Sequence, residues 1–263
     1  MQPCVIDSCS LLHSFHVQVG GYRLNELVGE HFEVVLHRTV LNEMLSVLGR
    51  VYPRWRERGL VSDEMSEIRR SHASWTATRC CNASLDADKD LLEAEDLNDL
   101  DVGEIDCIAL AKYTADERFS YVLFLTDDYD AGECAKQVFD KYQIGTVVRS
   151  ADLISFFGIR FKLAKPEIHQ GLRNLIAFYT SLYESLLKEV TILLPGSESS
   201  YVFPLVHRGD FARATEAVSR LSLNMATRKK LSTLIEEVAA LAADKSVLGH
   251  ALLRLRALDG IHV

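Results

Sequence analysis

Short apolar runs that end at polar residues recur along roughly the first 160 residues, and each run predicts a buried strand. Four strands are predicted, over residues 4–6, 32–36, 121–125 and 144–148. Apolar residues at helical spacing lie between and after these runs. They predict helices over residues 40–48, from near 102 to 111, over 131–139 and over 153–157. Strands that alternate with helices predict an α/β fold with a parallel sheet covered by helices.

Local signals predict where two of these helices begin. Thr39 precedes the apolar positions of the 40–48 helix and is predicted to be its N-cap, because a threonine hydroxyl can accept a hydrogen bond from a free backbone N–H. For the helix over 131–139, Asp130 is the preferred N-cap, although Asp127 and Asp128 could instead form a turn that provides the N-cap.

The second half of the chain has a different pattern. A long amphipathic helix is predicted over residues 172–190, and a break over residues 193–197 follows it. Helical spacing continues from residue 210 to about 258, and only residues 201–203 are compatible with a strand. We therefore predict an α/β domain over residues 1–163 with a helical insert at about 52–100, and a helical C-terminal domain over residues 164–263.

Composition restricts the classes of protein to which the chain can belong. Apolar residues make up 48% of the sequence, which is enough for a large core and excludes wholesale disorder. The net charge of −8 argues against a protein that coats nucleic acid without specificity. No apolar run approaches the roughly 20 residues that cross a bilayer, and the N-terminus lacks the basic start of a signal peptide. The six cysteines form no CxxC pair, so we expect reduced thiols, a cytoplasmic location and no membrane association.

Carboxylates follow two of the predicted strands directly. Asp7 follows the first strand and Asp127 the third, so in a parallel sheet both lie at the carboxyl edge, where open α/β sheets bind ligands. Glu104 lies in the first turn of the helix from 102, and Glu43 lies in the helix over 40–48. Acids gathered in one pocket repel one another, and a hard cation such as Mg²⁺ or Mn²⁺ neutralises them. These positions therefore predict a divalent-metal site, of the kind that activates water for phosphoryl transfer.

The carboxylates belong to four short motifs. These are Val5-Ile6-Asp7-Ser8, Val40-Leu41-Asn42-Glu43-Met44, Gly103-Glu104-Ile105-Asp106-Cys107-Ile108-Ala109-Leu110-Ala111 and Leu125-Thr126-Asp127-Asp128. In order and separation they resemble the PIN-domain nucleases, over about residues 3–162. The resemblance implies a PIN-like sheet and a metal-dependent endoribonuclease that hydrolyses RNA phosphodiester bonds, as in VapC-type toxins and RNA-processing enzymes.

By position, the resemblance also implies which side chains form the site: Asp7, Glu43, Glu104, and Asp127 or Asp128. The choice between the last two stays open. Thr126 and Ser8 are implied as supporting residues, whose hydroxyls orient a carboxylate or a water. Asp106 follows Glu104 by two positions and is expected on the opposite side of the helix.

The chain departs from VapC-type toxins, which are about half as long and lack both the insert and the C-terminal helices. The expected partners are an RNA substrate, an antitoxin or another protein, and further copies of the chain. Four arginines of the insert are candidates either for contact with RNA phosphate or for a solvated helix face: Arg54, Arg56, Arg69 and Arg70. Two other functions stay open: an inactive PIN-like scaffold or regulator, and a phosphatase or phosphotransfer domain with a carboxylate site.

Overall fold

The fold is α/β, as the alternating pattern predicts. A computed structural model describes residues 1–44, 79–81, 84–93, 100–194, 196–207, 209–242 and 247–260. Most of these residues are helical, and a four-stranded parallel sheet lies among the helices. The predicted insert at about 52–100 lies largely outside the described residues, apart from residues 79–81, 84–93 and 100.

The sheet contains the four predicted strands. They are β1 (Gln2–Ile6), β4 (Phe32–Val35), β5 (Val122–Leu125) and β6 (Gly145–Val148), with β2 (Gln18–Val19) and β3 (Tyr22–Arg23) forming a separate antiparallel hairpin. The order across the sheet is β4-β1-β5-β6, and every pairing within it is parallel. Helices cover both faces of such a sheet, which is why the central strands consist of continuous apolar residues rather than an alternating pattern.

Seven helices of the described chain accompany the sheet. They are α1 (Ser8–Ser14), α2 (Leu24–His31), α3 (residues 38–44 in the described part), α4 (Asp86–Glu93), α5 (Val102–Arg118), α6 (Tyr129–Tyr142) and α7 (Ser150–Arg160). The sequence pattern did not predict α1, α2 or the hairpin, because these elements are short and their apolar residues follow no clear period.

The remaining helices form the second half. They are α8 (Lys165–Leu193), α9 (Gly196–His207), α10 (Phe211–Arg220), α11 (Met225–Ala242) and α12 (Val247–Gly260). Among the described residues, no helix is both long enough and apolar enough to cross a membrane.

Two local predictions are wrong. Thr39 is not an N-cap, because α3 already includes residue 38, and the Thr39 hydroxyl instead donates a hydrogen bond to Asp106 over 2.6 Å. Residues 201–203 are not a strand but part of α9. Val202 and Val206 are one helical turn apart, and both are buried against neighbouring helices. Burial of one helical face therefore explains why this segment is a helix rather than a strand.

The apolar side chains form two buried clusters. The first surrounds the sheet and includes Leu172, Leu175 and Tyr179 of α8 together with Ala251 of α12. The second joins the end of α8 to α9, α10 and α11. Apolar packing therefore continues across the predicted domain boundary at residue 163.

Candidate active site

The candidate site lies where the carboxyl ends of β1 and β5 meet. Because β1 stands between β4 and β5, the connection from β4 to β5 passes over β1, which makes this position the switch point of the sheet. Open α/β sheets bind ligands at such points. Ile6 pairs with Leu125, so the next residues, Asp7 and Thr126, lie side by side.

Asp7 is held in place by both of its carboxylate oxygens. Its side chain is 5% exposed. One oxygen caps α1 by accepting the backbone N–H of Ser10 over 2.6 Å, and the other accepts the hydroxyl of Thr126. The side chain is therefore fixed at the end of β1.

Glu104 lies at the N-terminus of α5 in a capping box with Asp101. The Glu104 N–H donates to the Asp101 carboxylate over 2.9 Å, and the Asp101 N–H donates to the Glu104 carboxylate over 3.0 Å. This arrangement pairs two free N–H groups of the helix end with carboxylates. It also places two negative charges at one point.

Glu43 reaches the same place from α3. Its carboxylate lies so close to Gly103 that a Cβ on Gly103 would stand 2.6 Å from Oε2, which no real side chain tolerates. A larger residue at this position of α5 would therefore force the Glu43 carboxylate to move. The Ser8 side chain forms a hydrogen bond with Glu43.

Asp128 faces the site from the N-terminus of α6. One carboxylate oxygen accepts the N–H of Ala131 over 2.9 Å, and the Asp128 N–H donates to the Thr126 hydroxyl oxygen over 3.1 Å. Asp128 is therefore the cap of α6, and the prediction that Asp130 caps this helix is wrong. The helix begins two residues earlier than expected.

Asp127 points away from Asp128 into a buried network. It accepts three hydrogen bonds, from Nδ1 of His13 over 3.1 Å, from the backbone N–H of Ser150 over 2.8 Å and from the Ser150 hydroxyl. The Tyr179 hydroxyl of α8 lies 2.6 Å from both ring nitrogens of His13. A proton on Nδ1 lets His13 donate to the Asp127 carboxylate.

A cavity of about 50 Å³ opens where these elements meet. It is lined by Asp7, Ser8, Cys9, Glu43, Asp101, Gly103, Glu104, Cys107 and Asp128. Five of these residues are acidic, and Asp127 is not among them. The structure therefore brings together the predicted residues of all four motifs and separates Asp127 from Asp128.

Burial and the charges of neighbouring acids raise the pKa values of three cavity acids, Asp7, Glu104 and Glu43. Burial, with a smaller contribution from the charge of Asp127, raises the pKa of Asp7 to about 7 despite its hydrogen bonds from Thr126 and Ser10. Burial and the charges of Asp128, Asp101 and Asp7 raise the pKa of Glu104 to about 7. Burial also raises the pKa of Glu43.

The acids outside the cavity behave in the opposite way. Burial alone would raise the pKa of Asp127, but the hydrogen bond and charge of His13, with the two bonds from Ser150, outweigh it and lower the pKa. Asp106 faces the other side of α5, as expected. Its pKa is lowered, because contacts with Lys89, Thr39 and His37 outweigh the effect of burial.

The donor chemistry of the cavity fits a hard divalent cation, since carboxylate oxygens are the ligands that Mg²⁺ and Mn²⁺ prefer. Within the described part of the chain, however, no three His, Cys, Asp or Glu side chains form a group that could hold a metal ion as they stand. Asp7, Glu104 and Asp128 are instead engaged in helix caps. Metal binding would require these carboxylates to move closer together within the cavity.

Several cavity residues were not predicted. Asp101 was detectable, because an acid followed three positions later by Glu104 is a capping-box pattern. Gly103, Cys9 and Cys107 have no such local signal, since only the tertiary structure brings them to the cavity. The arginines predicted to contact RNA, Arg54, Arg56, Arg69 and Arg70, lie outside the described residues.

Comparisons of the chain with protein-family models, with curated proteins and with solved structures give no significant match. The acidic cavity at the switch point is therefore the basis for assigning a function.

Proposed function

We propose that this chain is a metal-dependent endoribonuclease with a PIN-like α/β domain, in which Asp7, Glu43, Glu104 and Asp128 form the active site. One observation carries the proposal: these four carboxylates come from four separate elements and line a single cavity at the switch point of the sheet. A structural role in helix capping explains Asp7, Glu104 and Asp128 one by one, but not Glu43. It does not explain why the four acids, with Asp101, share one small space.

The helices around the cavity also favour negatively charged ligands. The N-termini of α1, α5 and α6 all lie at the cavity, where Asp7, Asp101 and Asp128 are their N-caps. Free N–H groups and the helix dipole give each N-terminus a partial positive charge, which stabilises carboxylates and phosphates. This partial charge helps to hold the three capping carboxylates at the cavity.

The chain's own residues have separate tasks in this proposal. Asp7, Glu104 and Asp128 would hold Mg²⁺ or Mn²⁺, which would polarise the phosphodiester and lower the pKa of a water molecule. Thr126 fixes the Asp7 carboxylate from the neighbouring strand. Glu43, which caps no helix and has a raised pKa, is the candidate to accept a proton from the attacking water. No covalent enzyme intermediate is needed.

A cleavage assay tests the proposal. Single-stranded and structured RNAs are incubated with Mg²⁺, Mn²⁺ or EDTA and with the wild type, Asp7→Asn, Glu104→Gln or Asp140→Asn. Asp140 is an exposed acid near the other end of α6 from Asp128, so its variant is a matched control for lost charge. We expect metal-dependent cleavage by the wild type and the control, and a loss of roughly a hundredfold or more in the other two variants.

Absence of cleavage by the wild type with either metal, or equal cleavage by Asp7→Asn, would reject the proposal. A regulatory domain without activity is the second candidate, and one observation favours it: Asp7, Asp101 and Asp128 already serve as helix caps. Hydrolysis of p-nitrophenyl phosphate without RNA cleavage would instead indicate a phosphatase. An antitoxin partner, self-association and a cytoplasmic location stay predictions from the sequence.

A further inference from the structure

Arg149 stands on the same edge of the sheet as the acidic cavity. Ile6, Leu125 and Val148 share one register, so Asp7, Thr126 and Arg149 each follow the end of their strand at the same level. Neighbouring strands lie about 4.8 Å apart, which puts the Arg149 backbone roughly 10 Å from that of Asp7. The positively charged Arg149 therefore follows a strand that is two positions away from the strand that ends at Asp7.

The side chain of Arg149 lies against the first turn of α6. Its guanidinium carbon is 5.4 Å from the ring centre of Tyr129, a cation–π arrangement. Its Nη2 is 3.4 Å from the position that a Cβ on Gly132 would occupy. Tyr129 directly follows the cavity residue Asp128, although neither Tyr129 nor Arg149 is among the residues that line the cavity.

Arg149 also has hydrogen-bonding capacity to spare. Its Nη1 is buried and has no acceptor among the residues that the structure describes, so this donor meets a phosphate only if the guanidinium turns toward the surface. Asp152, an acid in the first turn of α7, is bound by Arg254 of α12 over 2.9 and 2.5 Å. The described ion pairs do not include Arg149, and buried charged donors normally have a partner.

Charged groups of both signs surround Arg149. Arg254 of α12 and the carboxylates of Asp152 and Asp127 lie near it, and burial with the charge of Arg149 lowers the pKa of the neighbouring His250. A guanidinium matches a phosphate geometrically, because its parallel N–H groups meet two phosphate oxygens.

We propose that Arg149, supported by the Tyr129 ring, binds a backbone phosphate of the RNA strand one or two nucleotides from the phosphate that is cleaved. This inference rests on the proposed ribonuclease function and adds a substrate-positioning residue to it. A polyanionic strand needs such a contact, since the neighbouring cavity acids repel it when no cation neutralises them.

RNA binding without metal tests this role separately from catalysis. Fluorescence anisotropy measures the Kd of a fluorescein-labelled 12-nucleotide oligouridylate in EDTA at several salt concentrations. The variants are Arg149→Gln, Arg149→Lys and Tyr129→Leu. Arg118→Gln is the control, because Arg118 is partly exposed and pairs with Glu33 at the far end of α5. Circular dichroism melting checks that each variant is folded.

We expect Arg149→Gln to raise the Kd about tenfold and to reduce the slope of log Kd against log salt by about one, as the loss of one phosphate contact predicts. Arg149→Lys should recover part of the affinity, since it keeps the charge. Tyr129→Leu should raise the Kd less than Arg149→Gln does. Arg118→Gln should stay within about twofold of the wild type.

The outcomes separate the inference from the function on which it rests. A folded Arg149→Gln with the wild-type Kd and salt slope, or equal weakening in Arg118→Gln, overturns the subsite. If RNA cleavage still depends on Asp7, the ribonuclease proposal survives that result. If Arg149→Gln does not fold, wild-type binding by both Arg149→Lys and Tyr129→Leu overturns the subsite. A wild-type protein that neither binds nor cleaves RNA overturns both proposals.

Discussion

Asp127 and Asp128 are neighbours in the chain but occupy opposite environments. Asp127 is buried in a network where His13 and Ser150 provide three hydrogen bonds, and its pKa is lowered. Asp128 lines a cavity with Asp7 and Glu104, whose pKa values rise to about 7. Burial alone therefore does not define the role of a carboxylate. Enough hydrogen-bond donors lower the pKa of a buried carboxylate, whereas burial beside other acids raises it.

The largest expected effect on stability is that of Asp127→Ala. It leaves a buried His13 and two donors of Ser150 without their acceptor, so we expect a loss of about 3 kcal/mol in the free energy of unfolding. Urea denaturation measures this loss. Asp140→Ala, which removes an exposed acid, should change the value by less than about 0.5 kcal/mol. Equal values for the two variants would contradict the role of Asp127 as an anchor.

Asp7 and Asp127 should also make the free energy of unfolding depend on pH in opposite ways. Because the pKa of Asp7 is raised from 3.8 to about 7, the folded state binds more protons than the unfolded state between about pH 4 and pH 7. Without metal, the free energy of unfolding should therefore fall across this window and level off above it. Asp127 acts in the opposite direction: its stabilisation is present above about pH 4 and is lost in stronger acid.

Denaturation of the wild type and Asp7→Asn at a series of pH values measures this effect. The difference between the two proteins should change over pH 4–7, whereas Asp140→Asn should follow the wild type throughout. Parallel curves for the wild type and Asp7→Asn would show that the pKa of Asp7 is not raised.

Gly103→Ala should disturb the cavity from α5. The added Cβ overlaps the Glu43 carboxylate, so we expect a loss of about 1–2 kcal/mol in stability and a displaced Glu43. In the double variant Gly103→Ala/Glu43→Asp, the shorter acid makes room, and part of the stability should return. Additive losses in the double variant would indicate that the two residues do not touch.

The smallest expected effect concerns the cap of α6. Asp128→Ala removes the acceptor of the Ala131 N–H and should cost about 1 kcal/mol, whereas Asp130→Ala should cost less than about 0.5 kcal/mol. Thermal melting compares the two variants. A larger loss for Asp130→Ala would restore the capping role predicted for it from the sequence.

The parts of the site that follow strands could be predicted from the sequence. Asp7 and the Asp127-Asp128 pair end continuous apolar runs, and parallel strands place such ends at one edge. The choice within the pair could not be predicted, because it depends on His13, which is 114 positions away, and on Ser150. His13 and Ser150 come close to Asp127 only in the folded protein, when the helices pack against the sheet.

Other errors have the same physical origin. Threonine is a common N-cap residue, but the Thr39 hydroxyl donates a hydrogen bond to Asp106, which is distant in the sequence. Val202 lies in a short run of β-favouring residues, yet burial of one helical face decides its conformation. Local propensity thus predicted most elements of the sheet domain, while long-range contacts decided the remainder.

Calorimetric titration with Mn²⁺ tests most directly whether the cavity acids form a divalent-cation site. The wild type, Asp127→Asn and Asp140→Asn should bind Mn²⁺ if they are folded, whereas Asp7→Asn and Asp128→Asn should bind at least about tenfold more weakly. No binding by the wild type, or wild-type affinity in Asp7→Asn, would contradict the assignment of this cavity as a metal-dependent active site.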